Sequence, residues 1–172
     1  TFLRMRNNPR DMTTGKHILL TGGGTLGPVT PLLAIATEWR KRDPHVKLTW
    51  VGTPHGPEKA LVEAAKISFI GFSAPKFDRT RWWTWPILPF ALVWSCIRAF
   101  RLLVDFEPSL MISAGAYVSV PFAWAGKCCG VPTWIHQLDV IPGLANTLMA
   151  PVAKRISVTW EENVAQYGAK KT

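Results

Sequence analysis

With 172 residues and a formal net charge of +9, the chain has the size of one ordinary α/β domain, and its basic excess points to an anionic partner: nucleic acid, an acidic membrane surface or a phosphorylated substrate. Its 14 prolines and 13 glycines are spread along the length without a low-complexity tract or internal repeat, which excludes a repeat architecture. Cys96, Cys128 and Cys129 have neither metal-ligand spacing nor a disulfide framework, and read as small buried apolar residues of a reducing compartment.

Residues 1–15 are polar, with no apolar core of a secretory signal. They read as an N-terminal extension, residues 16–167 as one domain, and residues 168–172 as a cut edge or a linker, so the chain is expected to be a piece of a longer one. From Lys16 the pattern alternates strand and helix. Lys16 to Thr21 reads as a buried strand, and Val29 to Arg42 as a helix with Leu32, Leu33, Ile35, Ala36 and Trp39 on its sheet-facing stripe. Strands follow at 46–51, 67–72, 109–113, 131–136 and 156–160, with helices at 58–66, 122–129 and 142–150 and a last helical turn at Glu161. Such alternation implies a Rossmann-like, doubly wound parallel sheet of about six strands. Its ligand is expected outside the carboxyl ends of the strands.

Three loops meet at that rim. The first, after Ile18-Leu-Leu-Thr21, carries Gly22, Gly23, Gly24, Thr25 and Gly27, with Pro28 suited to a helix start. Glycine lets backbone N–H groups approach a ligand, and the helix N-terminus behind them favours an anion, so a phosphate or diphosphate is the expected ligand. Gly22, Gly24 and Gly27 also satisfy the dinucleotide fingerprint, but that reading requires an acid at the end of the second strand. Val51-Gly-Thr-Pro54 supplies none there, and Asp43 precedes the strand. No Gly-Lys-Ser/Thr follows the turn either, which removes the Walker loop. The second rim loop holds Gly115 and Tyr117, a possible backbone nest with a phenolic donor. The third holds His136, Gln137 and Asp139, with the acid placed to orient or acidify the imidazole.

Residues 76–104 form a region of another kind. Pro86 to Ile97 is apolar for only twelve residues before Arg98, with Arg101 one turn on, too short to span a bilayer. Trp82, Trp83, Trp85 and Trp94 beside Arg79, Arg81, Arg98 and Arg101 fit a helix lying in the headgroup layer, indoles at the interface and guanidinium groups on anionic lipid. Leu88, Leu92, Ile97 and Leu102 are the residues of this stretch that pack on the sheet if part of it is core. No nucleic-acid motif accompanies the basic residues, so nucleic acid is not the expected anion.

Five motifs in order, Ile18 to Thr25, Trp50 to Pro54, Ser113 to Ser119, Thr133 to Asp139 and Pro142 to Asn146, resemble the MurG family of peptidoglycan N-acetylglucosaminyltransferases, glycosyltransferase family 28. The resemblance covers residue 16 to about 166 and corresponds to the family's N-terminal half. It implies half of a GT-B fold that binds a lipid-linked diphosphate sugar (lipid I) peripherally at the cytoplasmic membrane face, while a C-terminal UDP-GlcNAc-binding domain, missing here, brings the donor. It also implies inverting transfer with no metal and no cofactor, by a base that deprotonates the acceptor hydroxyl. Carried over, the family's first loop falls on Gly23, Gly24, Thr25 and Gly27, its second on Gly115 to Pro121 with Tyr117, and its third patch on His136 and Asn146. The family's Gly-Gly-His is here Leu26-Gly27-Pro28, its His-Glu-Gln-Asn is His136-Gln137-Leu138-Asp139, and Ala116 and Val120 stand where glycines are usual. His136 and Asp139 are accordingly the candidate catalytic residues, and Gly23, Gly24, Thr25, Gly27, Gly115, Tyr117, Gln137 and Asn146 the candidate acceptor site. A non-catalytic subunit that anchors and presents the acceptor to a separate donor-binding chain is the alternative, and a nucleotide-dependent oxidoreductase the third.

Overall fold

The computed structural model describes residues 16–75 and 86–167; the expectations for Arg79, Arg81, Trp82, Trp83 and Trp85 and for the two terminal segments lie outside the described residues. The elements run β1 (His17–Thr21), α1 (Val29–Arg42), β2 (Lys47–Gly52), α2 (Glu58–Ala64), β3 (Ser68–Gly71), α3 (Leu88–Phe106), β4 (Leu110–Ser113), α4 (Ser119–Cys129), β5 (Thr133–Gln137), α5 (Leu144–Met149), β6 (Arg155–Val158) and α6 (Glu162–Tyr167). The strands form one sheet in the order β3-β2-β1-β4-β5-β6, and every pair is parallel. The order reverses between β1 and β4, so the loops after these two strands flank the switch-point crevice where such sheets bind ligands.

Each face of the sheet has its own core. Ile18, Leu20, Trp50 and Ile112 pack with Val29, Leu32 and Ala36 of α1 and Val62 of α2. Leu19, Val51, Met111 and Ile135 pack on the other face with Ala99 and Leu103 of α3, Phe122 and Ala123 of α4 and Met149 of α5. β1 is buried along its whole length, as expected of a strand covered by helices on both sides. Each side chain of leucine size so buried contributes about 1.5–3 kcal/mol.

Two differences from the sequence expectations have local causes. α4 starts at Ser119 rather than Phe122, because Pro121 falls within the first helical turn, where its missing N–H takes no intrahelical bond. In α3 the buried side is Ser95, Ala99 and Leu103; Leu92 and Leu102 pack against the core, but Ile97 is 42% exposed. Small residues at 95 and 99 allow α3 to lie close to α4. The cysteine expectation also fails in part: Cys128 is exposed, and Cys96 and Cys129 are half-buried, with burial pushing both of their thiols up in pKa.

Candidate functional site

The first glycine turn is built around a side chain that the sequence reading passed over. Glu58 opens α2, where the positive end of the helix favours an anion, and it is fully buried. Its Oε1 accepts the N–H of Thr53 at 2.7 Å and of Gly24 at 3.3 Å, while Oε2 is buried without a partner among the described residues. A methyl group added at Gly23 or at Gly56 would overlap this carboxylate. Those two positions are therefore glycine to make room for the protein's own anion. Gly24 additionally has φ +79, a backbone open mainly to glycine. No acid stands at the end of β2 itself, and Glu58, which opens α2, is turned inward onto backbone amides.

The remaining members of the first loop, Thr25 and Gly27, are exposed. Tyr117 bridges to the second loop: a Cβ on Gly24 would sit 3.4 Å from its ring. The second turn takes its shape from Gly115 at φ +97 and Ala116 at φ +100. Ala116 therefore holds a conformation that an L side chain rarely adopts, at the position where a glycine was expected. Ser113 Oγ accepts the Gly115 N–H at 3.1 Å, and the Ser119 hydroxyl donates to the Gly115 carbonyl at 3.1 Å, closing the turn onto the start of α4.

A third group joins these two from the tip of β5. Asn146 of α5 lies against Gly115, its Oδ1 3.2 Å from where a Cβ would stand, and that oxygen is buried and unpaired among the described residues. Asn146 Nδ2 donates to Gln137 Oε1 at 2.6 Å, the Tyr167 hydroxyl donates to the same oxygen at 3.0 Å, and Gln137 Nε2 donates to the Asp139 carbonyl at 2.7 Å. Asn163 donates to that carbonyl too, at 2.8 Å. Burial raises the Tyr167 pKa, so the phenol stays protonated as the donor this network needs. Gln137 is 1% exposed, and both ends of its amide are committed. It braces the loop and has no free acceptor to serve as a base.

The expected pairing of His136 with Asp139 is not formed. Side chains alternate along β5, so His136 points to the opposite face from Gln137, and its Nδ1 meets the Ser157 hydroxyl of β6 at 2.9 Å. Burial lowers its pKa, the opposite of what a carboxylate partner does. Asp139 is exposed at the rim, with its backbone pinned by Gln137 and Asn163. Gly23, Gly24, Thr25, Gly27 and Tyr117 thus form one cluster, Gly115, Gln137 and Asn146 adjoin it, Asp139 faces solvent beside them, and His136 stands apart. Glu58, Asn163 and Tyr167 were missed. For Glu58 the available signal was an acid in the first helical turn after the Gly52-Thr-Pro-His-Gly56 stretch.

Beside the rim, α3 presents an apolar face to solvent. Phe90 is 77% exposed, Trp94 59% and Val104 52%, and Val93, Ile97 and Phe100 share that side at helical spacing. Arg101 is exposed in the middle of this face, whereas the Arg98 guanidinium lies 4.9 Å over the Phe72 ring at its flank. No helix among the described residues is long and apolar enough to cross a membrane, and no group of three or more His, Cys, Asp or Glu among them is placed to hold a metal.

Residues 18–158 match the family model described as the glycosyltransferase family 28 N-terminal domain. Among curated proteins, the UDP-N-acetylglucosamine--N-acetylmuramyl-(pentapeptide) pyrophosphoryl-undecaprenol N-acetylglucosamine transferase of Clostridium kluyveri is 33% identical over 153 residues, 87% of this chain and 42% of that protein. The protein of the same name from Desulforamulus reducens is 31% identical over 156 residues, 88% of this chain and 41% of its own. The chain thus spans about two-fifths of the length of these relatives. Among solved structures, MurG of Acinetobacter baumannii superposes with a TM-score of 0.73 at 24% identity, over 86% of this chain and 42% of that one. The Neisseria meningitidis UDP-GlcNAc 2-epimerase, solved with UDP-GlcNAc, reaches 0.65 at 9% identity, over 91% and 43%. At such identities these likenesses concern the fold alone.

Proposed function

Since the chain belongs to glycosyltransferase family 28 as its N-terminal domain, we propose that it is the acceptor-binding half of an inverting N-acetylglucosaminyltransferase of peptidoglycan synthesis, seated peripherally on the cytoplasmic face of the cell membrane. The observation that carries this reading is the convergence of three strand-tip loops at the switch point, where Tyr117 lies over Gly24 and Asn146 against Gly115. The acceptor is a polyprenyl-diphosphate sugar. Its diphosphate is held by the backbone N–H groups of Thr25, Gly27 and Ala116 and by the Tyr117 hydroxyl, since the N–H groups of Gly24 and Gly115 already serve Glu58 and Ser113. A C-terminal domain brings UDP-GlcNAc.

In the reaction the acceptor hydroxyl oxygen bonds to the sugar C1 as the bond from C1 to UDP breaks, and a base takes the hydroxyl proton. Asp139, exposed at the rim, is the base this geometry favours, and His136, neutral because of its lowered pKa, is the second candidate. In the full-length enzyme, Asp139→Asn is expected to lower kcat by about 100-fold or more, the usual scale for a lost general base, with His136→Ala changing it less. Full turnover in both variants removes the assignment.

Docking uses the outward face of α3, with Trp94 and its apolar neighbours in the headgroup layer and Arg101 on anionic lipid. Sedimentation with phosphatidylglycerol vesicles tests it: Trp94→Ser with Phe90→Ser is expected to release the chain, and retained binding refutes the docking face. A second reading, a non-catalytic acceptor-presenting subunit, draws on the fact that the family's glutamate is here the fully committed Gln137. Acceptor binding by the chain, with transfer appearing only when a separate donor-binding chain is added, favours it.

A further inference from the structure

We propose that the apolar groove between α3 and α5 is a subsite for the first isoprene units of the lipid acceptor, separate from the surface that meets the bilayer; this rests on the acceptor reading above. The groove has a volume of about 260 Å³ and runs between Leu88 and Leu92 of α3 and Leu144 and Leu148 of α5, over Val120 and Tyr117. Tyr117 is the tie to the diphosphate site, because its ring also lies over Gly24. The curated relatives are named for a pyrophosphoryl-undecaprenol acceptor, and in such a ligand the prenyl chain leaves directly from the diphosphate. A diphosphate at the Gly115 turn therefore delivers its first carbons beside Tyr117, where a hydrocarbon needs apolar walls.

Size and continuity favour this occupant. The volume lies below the 300–1,000 Å³ or so of drug-sized pockets, so it holds the start of a chain and not a whole polyprenol. Leu92 also lines a second apolar groove of about 440 Å³, with Ile97, Phe100 and Trp124, on the side of α3 proposed to face lipid. A chain leaving the first groove past Leu92 thus emerges toward the bilayer. Leu144 and Leu148 are 48% and 42% exposed although both are leucines, and covering by a ligand's own tail accounts for that exposure.

The experiment uses the chain as it stands and titrates two probes by calorimetry: inorganic pyrophosphate and farnesyl diphosphate below its micelle concentration. Each methylene withdrawn from water contributes roughly fourfold in affinity, so farnesyl diphosphate is expected to bind at least about tenfold tighter. Leu144→Ser with Leu148→Ser, both at exposed positions, should erase that advantage while leaving pyrophosphate affinity and binding to phosphatidylglycerol vesicles unchanged. Ala145→Phe, which fills the groove without adding polarity, should do the same. Equal binding of the two probes by the unmodified chain overturns the groove while the diphosphate reading stands. Variants that keep the farnesyl advantage, or that lose vesicle binding, also overturn it, the latter by making the groove part of the docking face. Failure of both probes to bind overturns the diphosphate reading and the groove together.

Discussion

The turns after β1 and β4 sit on adjacent strands of the sheet, and both contain glycine at positive φ, yet they are finished in opposite ways. The first is closed from inside: Glu58 takes the N–H groups of Gly24 and Thr53 and fills the space that Gly23 and Gly56 leave. The second is closed by hydrogen bonds of Ser113 and Ser119 at Gly115 and by the neutral Asn146 amide lying against that glycine, carries Ala116 in a left-handed conformation, and borders an apolar groove. A cluster of glycines therefore does not by itself locate a ligand anion. One cluster accommodates a carboxylate of the protein, while the other packs against a neutral amide and is the turn proposed above to meet the acceptor.

The largest expected effect comes from disturbing the filled turn. Gly23→Ala or Gly56→Ala pushes a methyl group into a buried carboxylate, and overpacking of this kind costs about 1–3 kcal/mol, with more expected at a charged site. Glu58→Ala leaves the partly buried N–H groups of Gly24 and Thr53 without their acceptor, at about 1 kcal/mol or somewhat more. The comparison sharpens in the double variant. If Glu58 is the reason for the glycine, Gly23→Ala costs less in the Glu58→Ala background, with a coupling of roughly 0.5–3 kcal/mol in chemical denaturation. Strict additivity breaks the account.

Next in size is the ligand contact proposed for the second turn. Tyr117→Phe keeps the ring over Gly24 and removes only the hydroxyl. A hydrogen bond to a charged group contributes about 1.5–3 kcal/mol, so pyrophosphate affinity should fall about tenfold or more with the melting temperature unchanged. A lowered melting temperature with unchanged affinity would make Tyr117 a packing residue alone.

A smaller effect of opposite sign is expected at Ala116. Glycine enters φ near +100° at no steric cost, so Ala116→Gly relieves strain of about 1 kcal/mol, partly offset by the entropy glycine adds to the unfolded chain. Stabilisation by Ala116→Gly, set against destabilisation by Gly115→Ala, would confirm that the second turn carries strain which the first avoids.

These contrasts also mark what the sequence could and could not convey. The strand and helix order, with α1 at residues 29–42, follows from apolar runs and a helical stripe, both set by local periodicity. The meeting of the loops after β1, β4 and β5 follows from the parallel topology. Glu58 stayed hidden because its partners, Thr53 and Gly24, are five and 34 residues away, and a lone acid opening a helix resembles an ordinary solvated one. His136 and Gln137 are adjacent in sequence, so only the parity of β5 shows that one joins the loop network and the other faces β6. On α3, periodicity marks an apolar stripe without saying whether core or solvent receives it, and Ile97 went to solvent because Ser95 and Ala99 took the inward side.

The smallest effect concerns acid, and it separates both turns from the scaffold beneath them. His17 opens β1 at the end opposite the rim and is 8% exposed. Its Nδ1–H donates to the Phe106 carbonyl at 2.8 Å, which leaves Nε2 to accept the Thr49 hydroxyl at 2.9 Å, a pattern that requires the neutral ring. Burial, with the nearby Lys47 charge adding to it, lowers the His17 pKa from an ordinary value of about 6.5. A depressed histidine binds its proton more readily in the unfolded chain, so stability is fully present above that ordinary value and is lost as pH falls toward the folded one. The melting temperature should therefore drop between about pH 7 and pH 5, and His17→Asn should reduce this slope, leaving the part due to His136, whose pKa burial also lowers. Because His17 touches neither turn, the slope should be the same in the Tyr117→Phe and Ala116→Gly variants. A slope that changed with either would mean that protonation at the foot of β1 reaches the rim, and that the two turns share more of the scaffold than their separate hydrogen bonds imply.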